Sequence, residues 1–206
     1  MIKLSVLIAV WNQEDLVVKC LDSLPRRDDI EVIACDDGST DGTLSVLRKY
    51  KKEHPELALK VCFNKANRGA AYTFNRLIAM AQGEYFHIVG SDDYLYTDEY
   101  SRAVDAIGGA DVAVLDIDRN DGVRCRITEE NAHIFCGNGL RFFRKVFVDG
   151  IKYPEDKIAG SDWYFYNDVM ARNPKVKCLG ILAYHYNFPR EGSLSYRNRQ
   201  GEFGAI

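Results

Sequence analysis

Unbroken apolar runs alternate with helical patterns up to residue 90, and this alternation limits the fold more than any other feature of the chain. Residues 4–10 form a continuous apolar run of the kind a doubly covered strand needs. Residues 14–24 follow with Leu16, Val17, Cys20, Leu21 and Leu24 on one helical face, and Pro25 ends that pattern. A second strand is expected over 30–35. Thr40 or Asp41 is placed to cap a helix carrying Leu44, Val46, Leu47 and Tyr50. Residues 57–63 read as the next strand. Asn67-Arg68-Gly69 turns into a helix with Ala71, Phe74, Leu77, Ile78 and Ala81 along one side, and Gly83 suits a C-terminal cap. Residues 85–89 close the series as a strand. The pattern predicts an α/β fold with a mostly parallel, doubly wound sheet and helices on both faces.

Beyond residue 95 the expected elements are a helix over 97–107 stopped by Gly108-Gly109, and a hairpin of strands 112–117 and 123–127 around Arg119-Asn120-Asp121-Gly122. A helix follows over 162–172 with Ser161 as its cap, then short strands over 176–179 and 182–186. A length of 206 residues at 47% hydrophobic content supports one well-buried core, so the chain reads as a single domain. A net charge of -3 gives no basic field to attract nucleic acid. The six cysteines form no C-x-x-C pair, and they read as buried, reduced thiols of a cytosolic protein. The apolar N-terminus is too short for a membrane span and reads as a strand rather than a signal peptide. Membrane contact is therefore expected to be peripheral at most.

Two acidic pairs follow strand runs. Asp36-Asp37 opens the stretch Asp36-Asp37-Gly38-Ser39-Thr40-Asp41-Gly42, and Asp92-Asp93 lies in Gly90-Ser91-Asp92-Asp93-Tyr94. Carboxylates at strand ends lie where open α/β sheets hold ligands. A strand-end carboxylate accepts from a pyrimidine N–H or a ribose hydroxyl, and Gly38 lets the backbone approach closely. Hard divalent cations are commonly shared between one or two carboxylates and substrate phosphates, which suits Asp92-Asp93. Arg68, near a helix start, is the cationic complement for a uracil carbonyl or a phosphate oxygen. Each motif alone is compatible with an ordinary polar turn; together at one sheet edge they point to a nucleotide diphosphate and a metal.

Four motifs resemble the family 2 glycosyltransferases of the GT-A fold, in order and in relative spacing: Ser5-Val6-Leu7-Ile8-Ala9-Val10-Trp11-Asn12, Asp36 through Thr43, Asn67-Arg68-Gly69, and Gly83-Glu84-Tyr85 leading to Ser91-Asp92-Asp93. The resemblance covers roughly the first hundred residues. It implies an inverting, metal-dependent hexosyl- or N-acetylhexosaminyltransferase with a nucleotide-sugar donor, UDP first among the choices, and Mn²⁺ or Mg²⁺ as cofactor. Residues 1–95 would then be the nucleotide-sugar-binding half and 96–206 the acceptor and catalytic half. Val10 and Trp11 fall on the donor side. Asp37 maps to the uracil contact with Asp36 beside it, Asp92 to the ribose or sugar, and Asp93 to the metal.

In the second half, Gly160-Ser161-Asp162-Trp163-Tyr164-Phe165 lies where the family carries its catalytic base, usually as Glu-Asp before an aromatic. Ser161 replaces the Glu, and Asp162 remains as the expected base. An inverting transfer needs a carboxylate to take the acceptor hydroxyl's proton. Tyr184-His185-Tyr186 and Arg190-Glu191-Gly192-Ser193 resemble the family's C-terminal loop, which implies Arg190 and Ser193 as phosphate contacts and His185 as a further metal ligand. Trp11 and Trp163 are candidates for stacking on a base or sugar, or simple rim aromatics. The acceptor implied is a glycan or lipid-linked glycan of surface polysaccharide assembly, in the cytoplasm or at the inner membrane face. Two other classes are weighed against this reading. A nucleotidyltransferase would carry a Gly-rich loop after the first strand, where Val10-Trp11-Asn12-Gln13 stands instead. A binding module of the same fold with impaired catalysis fits the Ser161 departure.

Overall fold

The computed structural model describes residues 1–133, 137–157, 160–191 and 200. Ser193, expected to contact phosphate, lies outside the described residues.

The first half follows the alternation. Strands β1 (Leu4–Val10), β2 (Ile30–Asp36), β3 (Leu59–Phe63) and β4 (Tyr85–Ile88) pair in parallel in the order β3-β2-β1-β4. Every residue of β2 is buried, and all of β1 except Ala9, which is why both sequences are mainly apolar, and the buried Ser5 hydroxyl donates to Glu31 Oε1 across the pair at 2.6 Å. Helices α1 (Val17–Asp22), α2 (Thr43–Glu53) and α3 (Ala70–Met80) connect the strands. Because β1, β2 and β4 run in the same direction, the residues that follow them gather at one sheet edge: Trp11, Asp37 and the Gly90-to-Asp93 corner.

The second half adds β5 (Tyr94–Leu95), α4 (Thr97–Ala106), β6 (Val112–Arg119), β7 (Arg124–Cys125), β8 (Arg141–Arg144), α5 (Ser161–Met170) and β9 (Val176–Tyr186). The sheet order is β3-β2-β1-β4-β8-β6-β9-β5, with β7 on the side of β6. β8 is antiparallel to both β4 and β6, and β9 runs parallel to β6 before meeting β5 antiparallel. The long ladders are the parallel ones. One hydrophobic cluster spans both halves, from Leu4 and Val6 through Phe142 and Phe143 to Phe165 and Tyr184.

Local differences from the sequence expectations have identifiable causes. The first helix starts at Val17 rather than at 14, because the Gln13 N–H donates to Thr43 Oγ1 at 2.9 Å and the Glu14 N–H to Asp41 Oδ2 at 3.3 Å. Those bonds hold the 13–16 segment as a turn against the start of α2. Gly83 is not a helix cap. Its N–H donates to Ser5 Oγ at 2.8 Å, and a Cβ there would lie 2.6 Å from the Ser5 backbone nitrogen. Ser161 opens α5 instead of capping it; Gly160, at φ 72, makes the left-handed turn into the helix. The strand expected over 123–127 is limited to Arg124–Cys125, since the Ile127 N–H turns to the Asp116 carboxylate at 2.7 Å. The two short strands at the end are one bent strand, β9, with Gly180 at φ 64 and register shifts against β6. β8 carries no pattern that would announce it: Arg141-Phe142-Phe143-Arg144 is too short for a period to be read.

Candidate active site

The Asp92-Asp93 corner is built from the end of β4 and the far end of β9. Asp93 is buried, with 5% of its surface exposed. Its Oδ2 accepts the Tyr184 hydroxyl, and its Oδ1 accepts the Asn187 N–H at 2.8 Å. Tyr184 also accepts the Gly90 N–H at 3.0 Å, so one side chain organises the whole corner. Tyr184 can come this close because residue 139 is glycine; a Cβ there would collide with the tyrosine ring. Burial, and next the adjacent Asp92 charge, push the Asp93 carboxyl up to about 7. Asp92 is half-buried, and its Oδ2 receives Arg190 through Nε at 2.9 Å and Nη2 at 2.7 Å.

The second acidic corner lies at the end of β2. The Asp37 carboxylate is buried and accepts three bonds: Asn64 Nδ2 at 2.6 Å, the Arg68 N–H at 3.0 Å and the Gly69 N–H at 2.9 Å. It therefore holds the 67–69 turn in place and keeps about one of the roughly four lone pairs of a carboxylate open. Asp36 is also buried; its Oδ2 accepts the Ser39 N–H at 3.3 Å, while its Oδ1 meets no donor. Gly38, at φ 69, crosses directly over the 66–67 backbone. The Arg68 side chain is exposed, with its guanidinium 4.4 Å from the centre of the Tyr72 ring.

Asp162 stands in the first turn of α5, half-buried, and accepts the Trp163 N–H at 3.0 Å. Burial raises its carboxyl above the usual range, against that hydrogen bond and the Arg141 charge. Arg141 itself is buried in β8, where it donates to the Ala132 carbonyl at 2.7 Å and the Gly137 carbonyl at 3.2 Å.

A cleft of about 650 Å³, a volume typical of a small-molecule site, joins the Asp92-Asp93 corner to Asp162. Trp11, Asp92, Asp93, Asp162 and Arg190 all line it, joined by Tyr184, Tyr186, Asn187 and the Gly137-Asn138-Gly139 loop. Trp11 is exposed, whereas Val10 is buried in β1 and accepts the Asp37 N–H through its carbonyl at 2.7 Å. Asp36, Asp37 and Arg68 form a separate corner at the same sheet edge, outside the lining. Trp163 is exposed beside Asp162 and packs edge-on against Tyr164.

His185, expected as a further metal ligand, pairs with side chains of the β6 end. Its Nδ1 is 2.8 Å from Asp118 Oδ1, its Nε2 is 2.8 Å from Asn120 Oδ1, and its ring stacks on Tyr94. Both nitrogens are engaged by Asp118 and Asn120, so His185 would have to leave one of these partners to reach a cation. Among the described residues no group of three or more His, Cys, Asp or Glu is arranged to hold a metal. A cation in this cleft would have to take most of its ligands from the substrate. That fits the donor set, because Asp92 and Asp93 both keep open lone pairs and Mg²⁺- or Mn²⁺-type sites often use one or two carboxylates with substrate phosphates. Tyr184 and Asn187, which hold the Asp93 carboxylate, carry no motif of their own in the sequence. Their sequence signal is nearness to Tyr186 at the end of a strand-like run.

The sequence matches the family "Glycosyl transferase family 2" over residues 5–155. It is 27% identical over 212 residues to the poly(ribitol-phosphate) beta-N-acetylglucosaminyltransferase TarS of Staphylococcus aureus (strain Mu50), covering 93% of this chain and 36% of that protein. It is 39% identical over 105 residues to the poly(ribitol-phosphate) beta-glucosyltransferase of Bacillus spizizenii, covering 48% of this chain and 16% of that one. The chain thus spans at most about a third of either relative. Among solved structures, S. aureus TarS 1-349 in complex with UDP-GlcNAc superposes with a TM-score of 0.83 at 25% identity, over 93% of this chain and 60% of that one. The mannosyltransferase PcManGT from Pyrobaculum calidifontis gives a TM-score of 0.80 at 23% identity, over 98% of this chain and 61% of that one, and speaks to the fold alone. The architecture is the GT-A fold of TarS, and the chain belongs to glycosyl transferase family 2.

Proposed function

We propose that this chain is an inverting glycosyltransferase domain that moves a hexose or N-acetylhexosamine from a UDP-sugar to a glycan or lipid-linked glycan acceptor in surface polysaccharide synthesis. The observation that supports this most strongly is the shared cleft: the acid pair after β4 and the lone Asp162 of α5 line one cavity. The likeness to TarS bound to UDP-GlcNAc and to a poly(ribitol-phosphate) beta-N-acetylglucosaminyltransferase supports the choice of donor and acceptor class. The whole chain acts as one domain, with residues 1–95 binding the donor and 96–206 supplying the acceptor side and the base. The expected location is cytoplasmic or at the inner membrane face; no helix among the described residues is long and apolar enough to cross a membrane.

In this reading the remaining lone pair of Asp37 accepts the uracil N–H, with Asp36 beside it and Arg68 swinging from Tyr72 to the base or a phosphate. Val10 and Trp11 border the base and ribose. Asp92 takes a ribose or sugar hydroxyl, and Arg190 moves from Asp92 Oδ2 to the diphosphate. Ser193 joins Arg190 there. Asp93 is the proposed cation ligand, with Asp92 beside it. A bound Mn²⁺ or Mg²⁺ would neutralise charge on the departing diphosphate. Asp162 accepts the proton of the attacking acceptor hydroxyl at its carboxylate, and its raised pKa makes it a stronger base than an exposed aspartate.

The test is Asp162→Asn assayed for donor binding and for transfer. Donor affinity stays at the wild-type value and transfer falls by about 10²–10⁴-fold, the range of a lost general base. Wild-type turnover by Asp162→Asn would remove Asp162 from the mechanism. In the wild type, activity falls as pH drops through the Asp162 pKa, at a pH above that of an unperturbed aspartate.

A further inference from the structure

Cys35 and Cys62 are register partners in the neighbouring parallel strands β2 and β3. Their backbones therefore lie about 4.8 Å apart, the spacing of adjacent strands. That is inside the roughly 4.4–6.8 Å a disulfide spans between Cα atoms. Their side chains share a face and a hydrogen bond. Cys35 is fully buried and Cys62 half-buried, so only Cys62 has an approach from outside. The other cysteines of the described residues, Cys20, Cys125 and Cys178, have no cysteine as a strand partner.

The pair is tied to the donor corner. Cys35 immediately precedes Asp36 and Asp37. The Arg76 guanidinium lies 4.0 Å from Cys35 Sγ, donates to the Phe63 carbonyl at 2.8 Å and also donates to Asn64 Oδ1. Asn64 in turn donates to Asp37 Oδ1 at 2.6 Å, and Asp37 holds the 67–69 turn. The hydrogen bond from Cys35, and next the Arg76 charge, hold the Cys62 thiol down to about 7, which provides a thiolate near neutral pH.

We infer that Cys35 and Cys62 form a peroxide-sensitive dithiol site whose oxidation to a disulfide weakens donor binding at the Asp37 corner. The Cys62 thiolate attacks a peroxide O–O bond: an S–O bond forms, the O–O bond breaks, and the leaving hydroxide is protonated to water. The Cys35 sulfur then attacks Cys62, an S–S bond forms, the S–O bond breaks, and hydroxide leaves as water with the Cys35 proton. Two thiols and one hydrogen peroxide thus give one disulfide and two waters. Closing the S–S bond draws the two side chains together and changes what Arg76 faces, and Arg76 reaches Asp37 through Asn64. Only this effect on the donor rests on the function proposed above; the disulfide itself does not.

The experiment treats the full chain with hydrogen peroxide, maps disulfides by peptide mass, and titrates UDP before and after. The expected result is a Cys35–Cys62 peptide lighter by two hydrogens, a UDP affinity about tenfold weaker, and recovery of both by a thiol reductant. Cys35→Ser, treated in the same way, accumulates a sulfenic acid at Cys62 that a dimedone probe traps, and Cys62→Ser forms no disulfide and keeps its UDP affinity. Oxidation elsewhere with this pair left reduced would overturn the site. A mapped disulfide with unchanged UDP affinity would overturn the coupling. Reduced protein that binds no UDP would instead count against the donor assignment, with the peptide mapping still deciding the disulfide.

Discussion

His87 lies in β4 beneath the cleft, fully buried, with Nδ1 2.7 Å from the Tyr100 hydroxyl and Nε2 3.0 Å from the Gly139 carbonyl. A carbonyl only accepts, so Nε2 carries the proton and Tyr100 donates to Nδ1. Burial lowers the ring's pKa to about 4 from 6.5. Since the folded value is depressed, the unfolded chain binds more protons between these values. The stability contribution is therefore full above about pH 6.5 and is lost as pH falls toward 4. Urea unfolding at pH 7.5 and pH 4.5 should show wild type losing more than His87→Gln, by up to about 3 kcal/mol. Equal losses would mean that His87 is not held neutral. Tyr184 gives a second residue-level expectation. Tyr184→Phe removes the donor to Asp93 and leaves the Gly90 N–H without its acceptor, which should cost about 1–3 kcal/mol in the same assay.

At the scale of elements, the β2–α2 junction supports the donor corner through Gly38. A Cβ at this position would lie 2.5 Å from the Asn67 backbone nitrogen, in the turn that Asp37 holds. Gly38→Ala should therefore weaken UDP binding, whereas Gly122→Ala, at φ 80 in open space on the β6–β7 hairpin, should cost only about 1–2 kcal/mol of backbone strain and leave binding alone. Calorimetric titration of the two variants tests the contrast. β1 and β2 can be read from sequence because burial on both faces makes them mainly apolar, with the buried Ser5 and Glu31 bonded to each other, and α2 and α3 because their apolar residues keep a helical spacing. β8 and the continuity of β9 could not be read. A short inner strand bounded by arginines has no period, and Gly180 reads as a break where the structure only bends. For the same reason the partners around the acid pairs are less legible than the pairs themselves. Asp92, Asp93 and Asp162, which line one cleft, stand in local motifs, while the engagement of His185 with Asp118 and Asn120 depends on a β6–β9 pairing far apart in sequence.

Across the whole molecule, the sheet changes from parallel to mixed pairing at β4. The all-parallel β3-β2-β1-β4 half brings the acidic corners to one edge, and the mixed half closes over that edge with Tyr184, Asn187 and Arg190 at the end of β9. The Arg190–Asp92 pair links the two halves directly across the cleft. Donor binding should replace this contact, because a diphosphate offers Arg190 a stronger anionic partner than a half-buried carboxylate. The central claim is that the cleft and the Asp37 corner together bind a uridine nucleotide with a divalent cation. Titration calorimetry of UDP and UDP-GlcNAc, with and without Mn²⁺, on wild type and Asp37→Asn tests it most directly. The expected result is saturable binding that Mn²⁺ strengthens and Asp37→Asn weakens. Absence of binding by either ligand, or binding that neither Mn²⁺ nor the substitution alters, would contradict it.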